Sequence, residues 1–110
     1  MTTLSKIILT PLKKTAVSVP TQEKYDVLMQ VYEAGGWRWY RDLPTENNFW
    51  REYKEKTCVD AGIYLSPETE GKVGYATIKF YDKKNLSIIS DKEFYKIQKV
   101  TNKTLKKLKR

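Results

Sequence analysis

The run TQEKYDVLMQVYEAGG, Thr21 to Gly36, constrains the fold more than any other stretch of the chain. Tyr25, Leu28, Met29 and Tyr32 stand at offsets of zero, three, four and seven, the spacing of one helix face. Thr21 is placed to cap the first turn, Glu23 to complement the helix dipole, and Gly35-Gly36 to close the helix with a positive φ. A helix with one apolar stripe needs a surface to cover, and the rest of the chain reads mainly as strands.

Ser5 to Leu9 and Thr15 to Val19 are β-branched or apolar runs separated by Pro11 and two lysines, and Pro20 ends the second. After the glycines, alternation predicts a strand over Trp37 to Tyr40, with Trp37 and Trp39 on one face and Arg38 and Tyr40 on the other. Leu43 to Asn48 reads as a loop. Phe49 to Lys56 fits either a short strand or a helical turn. Thr57 to Leu65, interrupted by Gly62, reads as a strand, Ser66 to Gly71 as an acidic loop, and Lys72 to Tyr81 as the clearest strand. Asp82 to Asn85 is a turn that leads to Leu86 to Ile89 as the antiparallel partner. A helical turn over Asp91 to Tyr95 follows, capped by Ser90 or Asp91. The expected fold is α+β: a small antiparallel sheet with one main helix packed on one face. Residues 1–100 form a single domain, and 101–110 a basic tail or short helix that docks through Leu105 and Leu108 or frays.

With 110 residues, 40% hydrophobic and 13% aromatic, the chain can bury one modest core and does not have the composition of a disordered segment. The apolar run Ile7 to Leu9, broken by Pro11, is too brief for a signal-peptide core or a membrane span, so a cytoplasmic protein is expected. The formal net charge of +8 is not spread evenly. Residues 96 to 110 hold seven Lys or Arg and no acid, whereas Glu23 to Glu93 holds 13 acids against 11 bases. The positive field belongs to the C-terminal end and favours an anionic partner, nucleic acid or another phosphate-bearing ligand.

There is no histidine, which removes the usual zinc sets and every imidazole acid or base. The lone Cys58 lies in an expected strand and reads as a small buried hydrophobe. Pairs such as Glu52 with Glu55, or Glu68 with Glu70, read as solvated surface charge. No triad, phosphate loop or dinucleotide fingerprint is present, so no catalytic residue and no cofactor is assigned. Trp37, Trp39 and Trp50, with Arg38, Arg41 and Arg51, have the composition of a single-strand stacking platform. Alternation instead puts Trp37 and Trp39 beneath the helix as core, which is the favoured reading. Arg38, Tyr40 and Arg41 then remain for an exposed face, together with the basic end: Lys99, Lys103, Lys106, Lys107, Lys109 and Arg110.

Gly36-Trp37-Arg38-Trp39, Pro44-Thr45-Glu46, Thr57-Cys58-Val59 and Tyr95-Lys96-Ile97 together resemble the small accessory proteins encoded by tailed bacteriophages, over roughly residues 17 to 105. The pattern is a helix, a Gly-Trp-x-Trp strand, a polar loop, a central strand, and a Lys-Ile strand before a short helix. The resemblance implies a phage-type accessory protein at work in infected bacterial cytoplasm, and no catalytic assignment. The expected function is non-enzymatic: modulation of a host process or defence system by binding nucleic acid or another phosphate-bearing ligand. Two alternatives stand beside it, an inhibitor that binds a host protein through its aromatic and Arg surface, and a sponge for a signalling nucleotide.

Overall fold

The structure, a computed structural model, describes residues 8–10, 12, 14–39, 42–60 and 72–108, with side chains as far as residue 106. Its elements are β1 (Thr15–Ser18), α1 (Gln22–Ala34), a 3₁₀ turn (Pro44–Glu46), α2 (Trp50–Tyr53), a second 3₁₀ turn (Lys54–Lys56), β2 (Thr57–Asp60), β3 (Gly74–Thr77), α3 (Ile78–Lys83), β4 (Ser87–Ser90), α4 (Asp91–Gln98) and α5 (Asn102–Leu108). The class is α+β, as expected.

The four longer or better-capped helices start in the same way. A hydroxyl at the N-cap accepts the backbone N–H three residues on: Thr21 from Lys24 at 3.1 Å, Thr77 from Phe80 at 3.2 Å, Ser90 from Glu93 at 3.0 Å and Thr101 from Thr104 at 3.2 Å. Each satisfies a donor that the first turn leaves without an intrahelical partner.

The sheet has the order β3-β2-β1-β4 and is mixed. β1 with β2 and β2 with β3 are antiparallel, while β1 and β4 run parallel. This corrects two expectations. The strand beginning at Lys72 does not reach Tyr81, because the Thr77 hydroxyl caps a helix and the chain turns into α3. The following strand is not the hairpin partner of β3. α3 carries the chain past β2 and β1 to the far edge, the kind of crossover that parallel strands require.

The expected Trp37 to Tyr40 strand is reduced to two isolated bridges, Arg38 with Lys72 and Trp39 with Asp42. Lys96 and Ile97, expected in a strand by the resemblance, lie in α4. Phe49 to Lys56 resolves as helical turns. Most of the expected Ser5 to Leu9 strand, the second half of the Thr57 to Leu65 strand and all of the Ser66 to Gly71 acidic loop lie outside the described residues.

Register divides the side chains between two layers. Ile89, Val17, Val59 and Tyr75 lie in one row across the four strands and all belong to the main core with α1, Phe94 and Tyr95 of α4, and Leu105 of α5. One residue out of step, Ala16, Cys58, Ala76 and Ile88 face the other side and meet Tyr81 and Leu86. The second layer is thin because its strands present small side chains. The main helix α1 packs on one face as expected, and Tyr81 of α3 packs on the other.

Candidate anion-binding surface

Trp37 and Trp39 are buried to the same degree, each 8% exposed, which bears out the core reading and removes both from any stacking surface. Trp37 packs on Tyr32 with ring centroids 5.0 Å apart, and Trp39 lies edge-on to Phe49 at 4.8 Å. The indole N–H of Trp39 donates to Pro44 O at 3.3 Å, and that of half-buried Trp50 to Val19 O at 2.8 Å. Their polar edges are satisfied inside the fold.

Arg38 is half-buried, and its guanidinium donates to the carbonyls of Glu33 at 3.1 Å and Trp37 at 2.9 Å. The last carbonyls of a helix lack intrahelical partners, and a cation there also complements the dipole. α1 has no basic residue in its own last turn, so Arg38 supplies that charge from the next segment. Tyr40 and Arg41 lie outside the described residues.

The Pro44 to Asn48 loop is turned towards α1. Thr45 donates its hydroxyl to Glu33 at 2.6 Å, Tyr25 donates its hydroxyl to Asn47 O at 3.1 Å, and the Gln22 and Asn48 amides donate to each other at 3.0 and 2.9 Å. These groups fasten the loop along the helix and leave less of it for recognition.

Reactive chemistry is suppressed in the interior. Burial pushes the Cys58 thiol up to about 12, so it is protonated at neutral pH and a poor nucleophile. Burial also raises Tyr25 to about 12, and Tyr32 and Tyr95 well above the usual phenol range. The hydrogen bond to Glu52 holds the Tyr75 hydroxyl up at about 12. Asp60 is buried and accepts a hydrogen bond from the Tyr81 hydroxyl. A cavity of about 10 Å³, lined by Thr15, Tyr32, Asp60 and Phe94 among others, has room for about one water. Among the described residues no group of three or more Cys, Asp or Glu could hold a metal ion, and no helix is long and apolar enough to cross a membrane.

The C-terminal end is organised differently. α5 is a helix whose Leu105 packs against the main core, so the expected docking of the tail is seen at that residue. With Leu105 turned inward, Lys103 and Lys106, three residues apart on one helix side, are exposed. Lys96 and Lys99, on the last turn of α4 and its cap, are exposed as well. None of these four lysines forms an ion pair with a described residue. An ion pair between Lys24 and Asp91 at 3.6 Å joins the starts of α1 and α4.

Lys99 has φ 61 and ψ 35, the left-handed conformation that favours glycine. It is held there by a helix-closing pair of bonds, Lys99 N–H to Lys96 O at 3.2 Å and Val100 N–H to Tyr95 O at 2.9 Å. The end of α4 is tied down further by Gln98, which exchanges two bonds of 2.7 Å with the backbone of Thr10. Of the sequence-derived candidates, Lys99, Lys103 and Lys106 are thus exposed, on the closing residue of α4 and on α5. The Lys107 side chain, Lys109 and Arg110 lie outside the described residues. Lys96 was missed, although its spacing of three from Lys99 was there to be read. The chain matches no family model, and neither the curated proteins nor the solved structures give a match.

Proposed function

We propose that this protein is a non-enzymatic, phage-type accessory protein that modulates a host process or defence system by binding nucleic acid through its C-terminal helices. The observation that carries the reading is the docking of α5 through Leu105, which leaves Lys103 and Lys106 exposed on a packed helix that follows the exposed Lys96 and Lys99 in the chain. Four exposed lysines without acidic partners, on elements that are packed and capped, form a positive surface rather than a loose charged end. Such a surface attracts a phosphate backbone by counterion release, without reading sequence.

The two alternatives draw less support. The aromatic surface of a protein inhibitor loses Trp37 and Trp39 to the core, and a nucleotide clamp would have to release the Arg38 guanidinium from two carbonyls.

The test is fluorescence anisotropy with a labelled duplex over a range of salt. Wild-type affinity is expected to fall linearly in log-log form. Replacing Lys96, Lys99, Lys103 and Lys106 by Gln should flatten the slope by about 3 to 4, close to 0.9 per phosphate contact. Absence of salt-dependent binding to DNA and RNA would sink the proposal.

A further inference from the structure

The opposite layer of the sheet carries a second surface that the C-terminal helices do not explain. The Thr77 cap turns the chain into α3, and this leaves Ile78 at 38% and Phe80 at 39% exposure, while Tyr81 alone of that helix is buried. An uninterrupted strand would have put Ile78 and Phe80 on one face; the helix separates them and sets Phe80 beside Lys83 and Lys84, three and four residues on. Lys79, Lys83 and Lys84 around Phe80 are all exposed, and Asp82 is the single acid of the segment. The Lys84 ammonium stands 5.6 Å from the centroid of the Phe80 ring, near the outer limit of a cation–π contact. Neither Lys79 nor Lys83 has an ion-pair partner among the described residues.

We infer that α3 is a contact site for single-stranded nucleic acid, with Phe80 as the stacking platform for one base and Lys79, Lys83 and Lys84 as phosphate contacts. Each part of the patch fits that ligand. A half-exposed phenyl ring offers a face to any base, without sequence preference. Cations flanking an aromatic ring match a chain in which bases alternate with phosphates. The long Lys84 contact is weak enough to exchange: the ammonium passes to a phosphate while the base takes its place over the ring. Charge separates this occupant from an uncharged apolar partner, which would leave three lysines facing it unpaired.

The inference rests on the nucleic-acid reading above but assigns a different surface, since α3 packs on the sheet face opposite α1, α4 and α5. It concerns bases where the other concerns backbone. The experiment is an anisotropy titration of the full chain with two labelled probes, an oligothymidine single strand and a mixed-sequence duplex, together with vesicles containing phosphatidylserine.

Phe80→Ala is expected to weaken single-strand binding roughly tenfold, the scale of one lost base stack, and to leave duplex binding unchanged. Lys83→Gln with Lys84→Gln should flatten the single-strand salt slope by about 1.4, or 0.7 per contact. Phe80 is exposed, so an unchanged thermal melt checks the fold of the variant. Single-strand binding unaffected by Phe80→Ala would overturn the α3 site while leaving the C-terminal surface standing. Duplex binding and salt slope unchanged in the variant of the four C-terminal lysines, with Phe80-dependent single-strand binding intact, would sink the C-terminal surface and keep α3. Vesicle binding that depends on Phe80, with no oligothymidine binding, would overturn the inference in favour of a lipid surface.

Discussion

Helices α1 and α4 close with the same device built from different residues. At the end of α1, Gly36 N–H donates to Glu33 O at 3.1 Å and Trp37 N–H to Tyr32 O at 2.9 Å; at the end of α4, Lys99 and Val100 make the same two bonds to Lys96 and Tyr95. In both, the tyrosine four positions before the left-handed residue and the apolar residue just after it join the main core. The left-handed position between them is Gly36 at φ 87 in one and Lys99 at φ 61 in the other. Glycine takes that conformation freely, whereas lysine carries a steric cost of about 1–2 kcal/mol. The α1 end is optimised for packing, while the α4 end tolerates strain and keeps a positive charge on the surface.

The largest effect comes from the heavier closure. Trp37→Ala should destabilise the fold by about 3–5 kcal/mol, the range for truncating a buried aromatic, as measured by urea unfolding. The loss includes the contact with Tyr32 and the tilted contact with Phe94 at 6.4 Å. A loss below about 1 kcal/mol would mean that the α1 closure is not the anchor described.

Both closures should fail together in alkali. Cys58, Tyr25 and Tyr75 are raised to about 12 from ordinary values of 9 and 10, and Tyr32 and Tyr95 are raised as well. The folded state therefore holds protons that the unfolded state has already released. Stability from these groups is fully present below pH 9 and is lost as pH rises towards 12. Circular dichroism against pH should show cooperative unfolding in that window. Phenol absorbance that titrates completely near 10, for all eight tyrosines, while the protein stays folded would contradict the raised values of these four hydroxyls.

Gly36→Ala isolates the backbone term at the α1 end. A Cβ added at Gly36 meets nothing within 4 Å, so the expected loss of about 1–2 kcal/mol is conformational. The α4 end offers the converse at Tyr95, whose hydroxyl is buried with no hydrogen-bond partner among the described residues. Tyr95→Phe removes an unsatisfied polar group and should raise stability by about 1 kcal/mol. A destabilised Tyr95→Phe variant would show that the hydroxyl has a partner after all.

These two ends also show why some of the fold was legible in the sequence and some was not. The limits of α1 were readable because both signals are local: the Thr21 hydroxyl reaches Lys24, and Gly36 marks the positive φ. Lys99 gives no such signal, because nothing in a lysine announces a left-handed residue. β3 and α3 were read as one strand because Lys72 to Tyr81 alternates throughout. In the structure the helix is marked locally by the Thr77 cap and by Asn85 at φ 60, neither of which the alternating period reveals. The parallel pairing of β4 with β1 joins Thr15 to Ser87 and depends on a crossover that no short-range pattern encodes. Of the candidate site, the basic end was visible as composition, and Leu105 as the residue that docks it. The role of Arg38 was not visible, because alternation places a side chain on a face but does not show that the carbonyls of a helix end are waiting for a donor there.

The smallest predicted effect separates packing from charge most directly. Lys99→Gly should raise stability by about 0.5–1 kcal/mol, since glycine relieves the left-handed strain but gives back part of the gain through its greater freedom in the unfolded chain. The same substitution removes one of the four exposed lysines and should flatten the duplex salt slope by about 0.9. Thermal unfolding and the salt titration on one variant then move in opposite directions. If lysine sits there only by accident of drift, the variant gains stability and binding is untouched. A more stable protein that holds nucleic acid less well would show instead that the strain at the end of α4 is maintained by the need for a cation at that position.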